Sequence, residues 1–239
     1  MERRSEYARI RTALGASVHF RELPAEDLDR LALLGHVRRL RDGQAAPADG
    51  GHGKHFFIIL SGCIRMSSPL RNGREFVYAL LGAGSFYGIG NVIKGIDTRA
   101  VAHASGPTEL AVMDGAAFLR LLDAHPPLWR TVALLLHRRL THAMWAMRDN
   151  SLAPLRERMV RRLLALAAGT GADLRSPEHV SLRLSQSDLG RMLGTSRSRI
   201  NGIVKRLERD GLLHAGYRTI TLANLPALHR LAGPEVFTF

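Results

Sequence analysis

Residues 184–213 read LSQSDLGRMLGTSRSRINGIVKRLERDGLL, and on their pattern the reading of the whole chain turns. Ser185 is followed three residues later by Asp188, a helix start of capping-box type with aspartate where glutamate is usual. Leu189, Met192 and Leu193 supply a short apolar face. Gly194 permits a tight turn, and Ser196 caps a second helix. In that helix Ile200, Ile203, Val204 and Leu207 fall at i, i+3, i+4 and i+7, the spacing of a buried stripe. Ser198, Asn201, Gly202, Lys205 and Arg209 point away from the stripe or flank it, and Arg197 stands in the exposed first turn. Two short helices joined by a glycine turn, the second opening on small polar residues and arginine, match a helix-turn-helix. LLHAGYRTITL (212–222) follows as two short strands around Gly216, which would form a wing.

A basic helix is ordinarily just a solvated one. Here the two-helix spacing, the caps, the wing and the local charge coincide, and double-stranded DNA is the partner they fit. RNA fits less well, because the segment has no aromatic stacking platform. The candidate DNA contacts are Ser185, Gln186, Ser196, Arg197, Ser198, Arg199, Asn201 and Lys205.

The charge of the chain points the same way. Its 239 residues carry a net charge of +13, which favours a polyanionic partner. Residues 151–239 hold 14 Lys and Arg against 7 Asp and Glu, and residues 1–150 hold 20 against 14. The C-terminal third is therefore about twice as dense in positive charge. Cys63 is the only cysteine, so no intramolecular disulfide forms, and a cytoplasmic location follows. The single cysteine also excludes a one-chain iron–sulfur or multi-cysteine zinc site. MERRSEYARIR at the N-terminus has no apolar region behind it and does not read as a signal peptide. No run approaches the ~18 apolar residues of a membrane span, so a soluble protein without a membrane partner is expected.

Outside the basic stretch three textures appear. LPAEDLDRLALLGHV (23–37), with apolar residues at 28, 31, 34 and 37, predicts an amphipathic helix behind Pro24. From about 37 to 118, the short apolar runs FFIIL (56–60), FVYALL (76–81) and TELAVM (108–113) alternate with glycines 62, 73, 82, 84, 88 and 106, which reads as a β-sandwich or barrel. HPPLWRTVALLLHRRLTHAMWAMRDN (125–150) predicts a long helix starting at Pro126 and Pro127. Its apolar positions Leu128, Val132, Leu135, Leu136, Leu140, Ala143, Met144 and Met147 cover more than one face, so its own β-domain could cover one and a second copy another. LRERMVRRLLALAAG (155–169) is again helical, and residues up to 182 read as turn. The expected domains are 1–124, an effector-sensing β-roll; 125–150, a central dimerisation helix; and 151–239, a winged helix-turn-helix. The fold class is α+β.

This order of parts resembles the Crp/Fnr family of bacterial transcription regulators over about residues 20–222. The most specific segments are LSGCIRMSSPLRNGREFVYALLGAGSFYG (60–88) and residues 184–213. The resemblance implies an N-terminal β-jelly-roll of cyclic-nucleotide-binding type, a homodimer, an inverted-repeat DNA site, and RNA polymerase as a further partner. It implies that Arg197 matches an arginine contacting guanine, that Ser198 replaces a frequent glutamate, and that Gly202 replaces a further base-reading arginine of the cyclic-AMP branch.

The resemblance also implies an altered effector pocket. Cyclic-AMP-binding relatives use a Gly-Glu pair for the ribose, an Arg-Ser pair for the phosphate and a Thr-Ser pair for the adenine. The matching stretch is FYGIGNVIKGIDTRAVAHA (86–104). Ile89 takes the place of the glutamate, Thr98 and Arg99 that of Arg-Ser, and Ala143 and Met144 that of Thr-Ser. The degenerate pocket is Gly88, Ile89, Gly90, Asn91, Thr98, Arg99, Ala100, Ala143 and Met144. Cyclic AMP is not expected to bind, and no cofactor is predicted.

The residues also bear on other classes of protein. A haem-sensing branch stays open on 11 histidines, above all His103, His137 and His142, together with Cys63; each is first an ordinary packed or exposed residue. Trp129 and Trp145 read as packing residues. HGKH (52–55) reads as a turn. A cupin-type β-barrel metal protein needs a His-x-His pair, absent from 37–118, and a regulatory subunit acting on another protein leaves the wing unexplained. Nucleophile–base pairs and phosphate-cradling Gly-Lys loops are missing, so no enzyme is expected.

Overall fold

The computed structural model describes residues 2–17, 20, 23–46, 54–69, 75–94, 100–170, 172, 174 and 179–233. They form two compact units, one of residues 1–69 with 81–139 and one of residues 70–80 with 140–239. The division runs through a strand and through the long helix.

In chain order, helices α1 (Glu2–Ala16) and α2 (Ala25–Ala32) come first. Strands β1 (Gly35–Leu40), β2 (His55–Ser61), β3 (Cys63–Pro69), β4 (Glu75–Gly82) and β5 (Phe86–Tyr87) follow, then the short helix α3 (Ile89–Lys94). Strands β6 (Val101–Ala104) and β7 (Thr108–Asp114) lead into α4 (Gly115–Ala124) and the long α5 (Pro126–Leu152). One sheet has the order β1-β7-β2-β5 and the other β4-β3-β6, which is the two-sheet β-roll expected from the glycine-punctuated apolar runs. Where β2 turns into β3 and the chain passes from one sheet to the other, Gly62 has φ +82°, and a Cβ there would stand 2.3 Å from the Pro107 carbonyl. Only glycine fits that corner.

The core of the first unit gathers Ile10 and Leu14 of α1, Leu28 and Leu31 of α2, Phe56 and Ile58 of β2, Phe86, Phe118, and Leu128, Val132 and Leu135 of α5. Phe56 and Phe118 rings meet at 4.5 Å. The apolar residues of α5 thus split between two faces. Leu128, Val132 and Leu135 are buried, whereas Leu136, Leu140, Ala143, Met144 and Met147 are exposed, Leu140 at 60% and Met147 at 70%.

Two expected elements are corrected. The helix read over 23–37 stops at Ala32, and Val37 belongs to β1. From Gly35 the backbone pairs with β7 instead, Gly35 opposite Met113, and a Cβ on Gly35 would meet the Met113 Sδ at 2.5 Å. Of HGKH, His55 begins β2 and pairs with Asp114, so that end is strand rather than turn; residues 52–53 lie outside the described residues.

The second unit holds α6 (Leu155–Gly169), β8 (Val180–Leu182), α7 (Gln186–Met192), α8 (Arg197–Arg209), β9 (Leu213–Gly216), β10 (Thr219–Leu222) and α9 (Leu225–Ala232). Its sheet runs β8-β10-β9. β8 corrects the expectation of turn up to residue 182. Val180, Ser181 and Leu182 pair with Leu222, Thr221 and Ile220 of β10, and Val180 and Leu182 are buried.

Candidate nucleic-acid interface

The helix-turn-helix is assembled by local hydrogen bonds. The Ser185 hydroxyl accepts from the Asp188 N–H at 3.0 Å, and the Asp188 carboxylate accepts from the Ser185 N–H at 3.2 Å. Both halves of the capping box are therefore present, aspartate replacing glutamate. Asp188 is buried and is also held by Arg191. In the turn, Gly194 has φ +64°, which glycine adopts without a Cβ penalty. The Thr195 N–H donates to the Gly190 carbonyl at 2.8 Å, drawing the turn onto α7 so closely that a Cβ on Gly190 would stand 2.9 Å from the Thr195 carbonyl. The Ser196 hydroxyl then caps α8 by accepting from the Arg199 N–H at 3.3 Å.

Ile200, Ile203, Val204 and Leu207 are all buried, the stripe that the i, i+3, i+4, i+7 spacing predicts. Turning that stripe inward turns the rest outward. Arg197, Ser198, Arg199, Gly202, Lys205, Arg206 and Arg209 are exposed, and Asn201 is half-buried. Arg197, Arg199, Lys205, Arg206 and Arg209 have no ion-pair partner among the described residues. Ser185 and Gln186 are half-buried at the start of α7.

Other arginines are committed to the fold. Arg158 donates to the Leu193 carbonyl at the end of α7, and Arg161 Nε donates to the Ala232 carbonyl at the end of α9 at 2.7 Å. Arg156 Nη2 meets Asp210, the C-cap of α8, at 3.0 Å. Cations at helix C-termini complement the macrodipole and satisfy orphan carbonyls. The positive charge read from the sequence thus divides into arginines that hold the module together and a set on α8 that faces outward.

Beside α8, β9 and β10 form a hairpin in which Gly216 pairs with Thr219, leaving Tyr217 and Arg218 as a two-residue tip. Tyr217 is 92% exposed and Arg218 has φ +52°. The Ala215 N–H donates to the Glu208 carboxylate at 2.8 Å, tying the hairpin to α8. The tip residues were missed as candidates; a Tyr-Arg pair between two strand runs was the available signal.

The residues of the expected effector pocket do not share one environment. Gly88 turns the chain with φ +89°, and a Cβ on it would lie 3.2 Å from the Phe56 Cα. Ile89 is 1% exposed and belongs to the apolar core with Phe56, Phe86 and Phe118. Gly90 is exposed, Asn91 is half-buried, and Ala100 is half-buried just before β6. Ala143 and Met144 are exposed on α5, on the stripe with Leu140 and Met147. Thr98 and Arg99 lie outside the described residues. His103 of β6 faces Arg65 of β3, and His137 is exposed on α5. Nothing is described of the His142 and Trp145 side chains, whereas the Trp129 Nε1–H donates to Asp123 at 3.2 Å. Among the described residues no three metal-ligating side chains stand together, and no helix is long and apolar enough to cross a membrane.

A helix-turn-helix with a hairpin wing and an outward basic face, on a chain that also carries a two-sheet β-roll, is the architecture of a DNA-binding transcription regulator. Residues 37–125 match the cyclic nucleotide-binding domain, and residues 157–231 match the Crp-like helix-turn-helix domain. The chain belongs to the Crp/Fnr family of transcription regulators, which are not enzymes. The cAMP-activated global transcriptional regulator CRP of Haemophilus influenzae is 25% identical over 167 residues, covering 70% of this chain and 74% of that protein. The cyclic AMP receptor protein of Thermus thermophilus is 28% identical over 214 residues, covering 89% and 95%. Among solved structures, the c-di-GMP responsive global regulator CLP of Xanthomonas campestris aligns with a TM-score of 0.65 at 23% identity, covering 83% of this chain and 99% of that one, a likeness of fold.

Proposed function

We propose that the protein works in the cytoplasm as a homodimer that reads an inverted repeat with its two α8 helices, and that its effector is not cyclic AMP. In this reading residues 1–124 sense, 125–150 dimerise and 151–239 bind DNA. The observation that carries it is the outward face of α8, where cations without an ion-pair partner among the described residues flank small polar residues over a fully buried stripe.

Arg197 pairs with a guanine O6/N7 edge, and Asn201 with an adjacent adenine. Ser198 both donates and accepts and so discriminates weakly. Lys205 grips a phosphate; Ser185, Gln186, Ser196 and Arg199 anchor the backbone on either side of the groove. The exposed apolar stripe on α5 supports the dimer, because a second copy laid along it would remove Leu136, Leu140, Met144 and Met147 from water. RNA polymerase is the further partner of such a regulator.

The effector reading rests on the pocket. Ile89 lies in the core where a ribose-binding carboxylate would be needed, and Ala143 and Met144 offer no hydrogen bond to a base. Relatives named for cyclic AMP and for c-di-GMP share this fold, so the fold leaves the ligand open. It is a different small molecule or none, haem being one candidate through His103, His137 or His142.

The test of α8 compares two variants across a salt series. Arg197→Ala should weaken specific binding by about 1–3 kcal/mol and relax preference at one guanine. Lys205→Ala should weaken all sequences alike and make the salt dependence shallower. If neither variant changes binding, α8 is not the reading helix.

A further inference from the structure

Gly202 has no reason to be glycine within the chain itself. It is the sixth of thirteen residues of α8, an interior position where glycine is among the poorest helix formers. Its φ is not positive, so no left-handed turn requires it. A Cβ built on it meets no atom within 4 Å outside its own stretch of helix, so no packing requires it either. The neighbouring glycines each differ on one count. Gly194 needs its positive φ, and Gly190 is pressed against the Thr195 carbonyl. Gly90 shares the open surroundings of Gly202 but sits in the first turn of the short α3, where the helical cost is small.

The surroundings of Gly202 on the helix surface are also specific. Its neighbours at three and four residues' distance are Ser198, Arg199, Lys205 and Arg206, all exposed. A bare patch of backbone is thus ringed by three cations that have no ion-pair partner among the described residues. Cations on either side of an uncovered backbone suit a polyanion pressed directly onto it.

We infer that Gly202 is the point of closest approach between the α8 backbone and DNA, and that its missing side chain sets specificity at the base pair beneath it. This rests on the reading of α8 as the DNA-contacting helix. The glycine lowers the stability of the free helix and is compensated in the complex. Without a side chain at 202, the helix settles deep enough for Ser198 and Asn201 to reach base edges, while Arg199, Lys205 and Arg206 meet phosphates on the two sides. A methyl group at this position lifts the helix and withdraws those short side chains first. The longer cations follow the phosphates and keep their contacts.

The experiment uses the full chain and the DNA site recovered for the wild type from a random library. Gly202→Ala should raise Tm by about 2–4 °C, since helix propensity rises and nothing is struck. It should weaken binding to that site by about 5–150-fold, the equivalent of one lost base contact, with non-specific binding and salt dependence unchanged. Arg197→Ala is measured beside it. If Gly202→Ala binds as tightly as the wild type with the same base preference while Arg197→Ala is impaired, the inference is overturned and the reading of α8 stands. A fall in Tm also overturns it, because some contact within the protein then required the glycine. If Arg197→Ala binds normally as well, both fall together.

Discussion

Arg39 Nε donates to the Glu109 carboxylate at 2.8 Å, and the two residues face each other in register across β1 and β7. Arg9 of α1 reaches the same carboxylate from the other side, so the N-terminal helix is tied to the sheet through one acid. A second tie joins α1 to α2, where Asp29 accepts from Arg11 and from Tyr7, the latter at 2.9 Å.

Both acids should make stability depend on pH. The hydrogen bond from Arg39, reinforced by Arg9, holds the Glu109 carboxyl below its ordinary range against the opposing effect of partial burial. Those from Arg11 and then Tyr7 lower Asp29. A carboxylate with a depressed folded pKa contributes stability that is full above its unfolded value, about 4, and is lost as pH falls through the folded value. Thermal unfolding between about pH 6 and pH 2 should therefore show these two acids contributing a loss of Tm below about pH 4, of a few degrees at most. Glu109→Gln should be slightly less stable at neutral pH, by less than about 1 kcal/mol because Arg39 is largely exposed, and should lose less on acidification. An unchanged acid slope in Glu109→Gln would remove Glu109 from the account.

Dimerisation is predicted to depend on the exposed face of α5. Leu136→Asp and Leu140→Asp each place a charge on the stripe that a second copy would cover, and burying an unpaired carboxylate is strongly unfavourable. Sedimentation at low micromolar concentration should show both variants shifted toward monomer. Their folding should be unaffected, since Leu136 and Leu140 are exposed in the single chain. If both remain dimeric, a different surface joins the protomers.

Cyclic AMP should not bind at micromolar concentration. A lost charge-assisted contact costs on the order of 1.5–3 kcal/mol and each further lost hydrogen bond about 1 kcal/mol, together several powers of ten in affinity. The structure adds a sharper expectation for the reverse substitution. Ile89→Glu should not restore binding, because the new carboxylate would be buried among Phe56, Phe86 and Phe118. It should instead destabilise the protein by about 3–5 kcal/mol, the cost of an uncompensated buried charge. Titration calorimetry showing micromolar cyclic AMP binding to the wild type would contradict this reading.

The DNA-binding module was legible because its signals are short-range. Ser185 with Asp188, Gly194, Ser196 and the stripe from Ile200 to Leu207 each act within one or two helical turns, so spacing alone locates them. The strand at Val180–Leu182 was not legible, since three residues carry no periodicity and form a strand only by pairing with β10. Residues 35–37 are likewise strand rather than helix through pairing with residues 111–113, more than seventy positions away. For the arginines, charge counting sums what tertiary structure separates: Arg158 and Arg161 hold helix ends, while Arg197 and Arg199 face outward. Ile89 shows the same limit. Its identity argues against a ribose contact, but its place in the apolar core is known only from the fold.

Selection from random double-stranded DNA tests the account of α8 most directly. The wild type should enrich an inverted repeat with half-sites about one helical turn apart, keeping one guanine per half-site but differing from TGTGA, the half-site that the family resemblance implies for the cyclic-AMP branch, since by that resemblance Ser198 and Gly202 replace two base-reading side chains. In the same selection Arg197→Ala should lose its preference at the guanine while retaining the repeat. Recovery of TGTGA half-sites, or of no palindrome, would contradict the assignment of α8 and its residues.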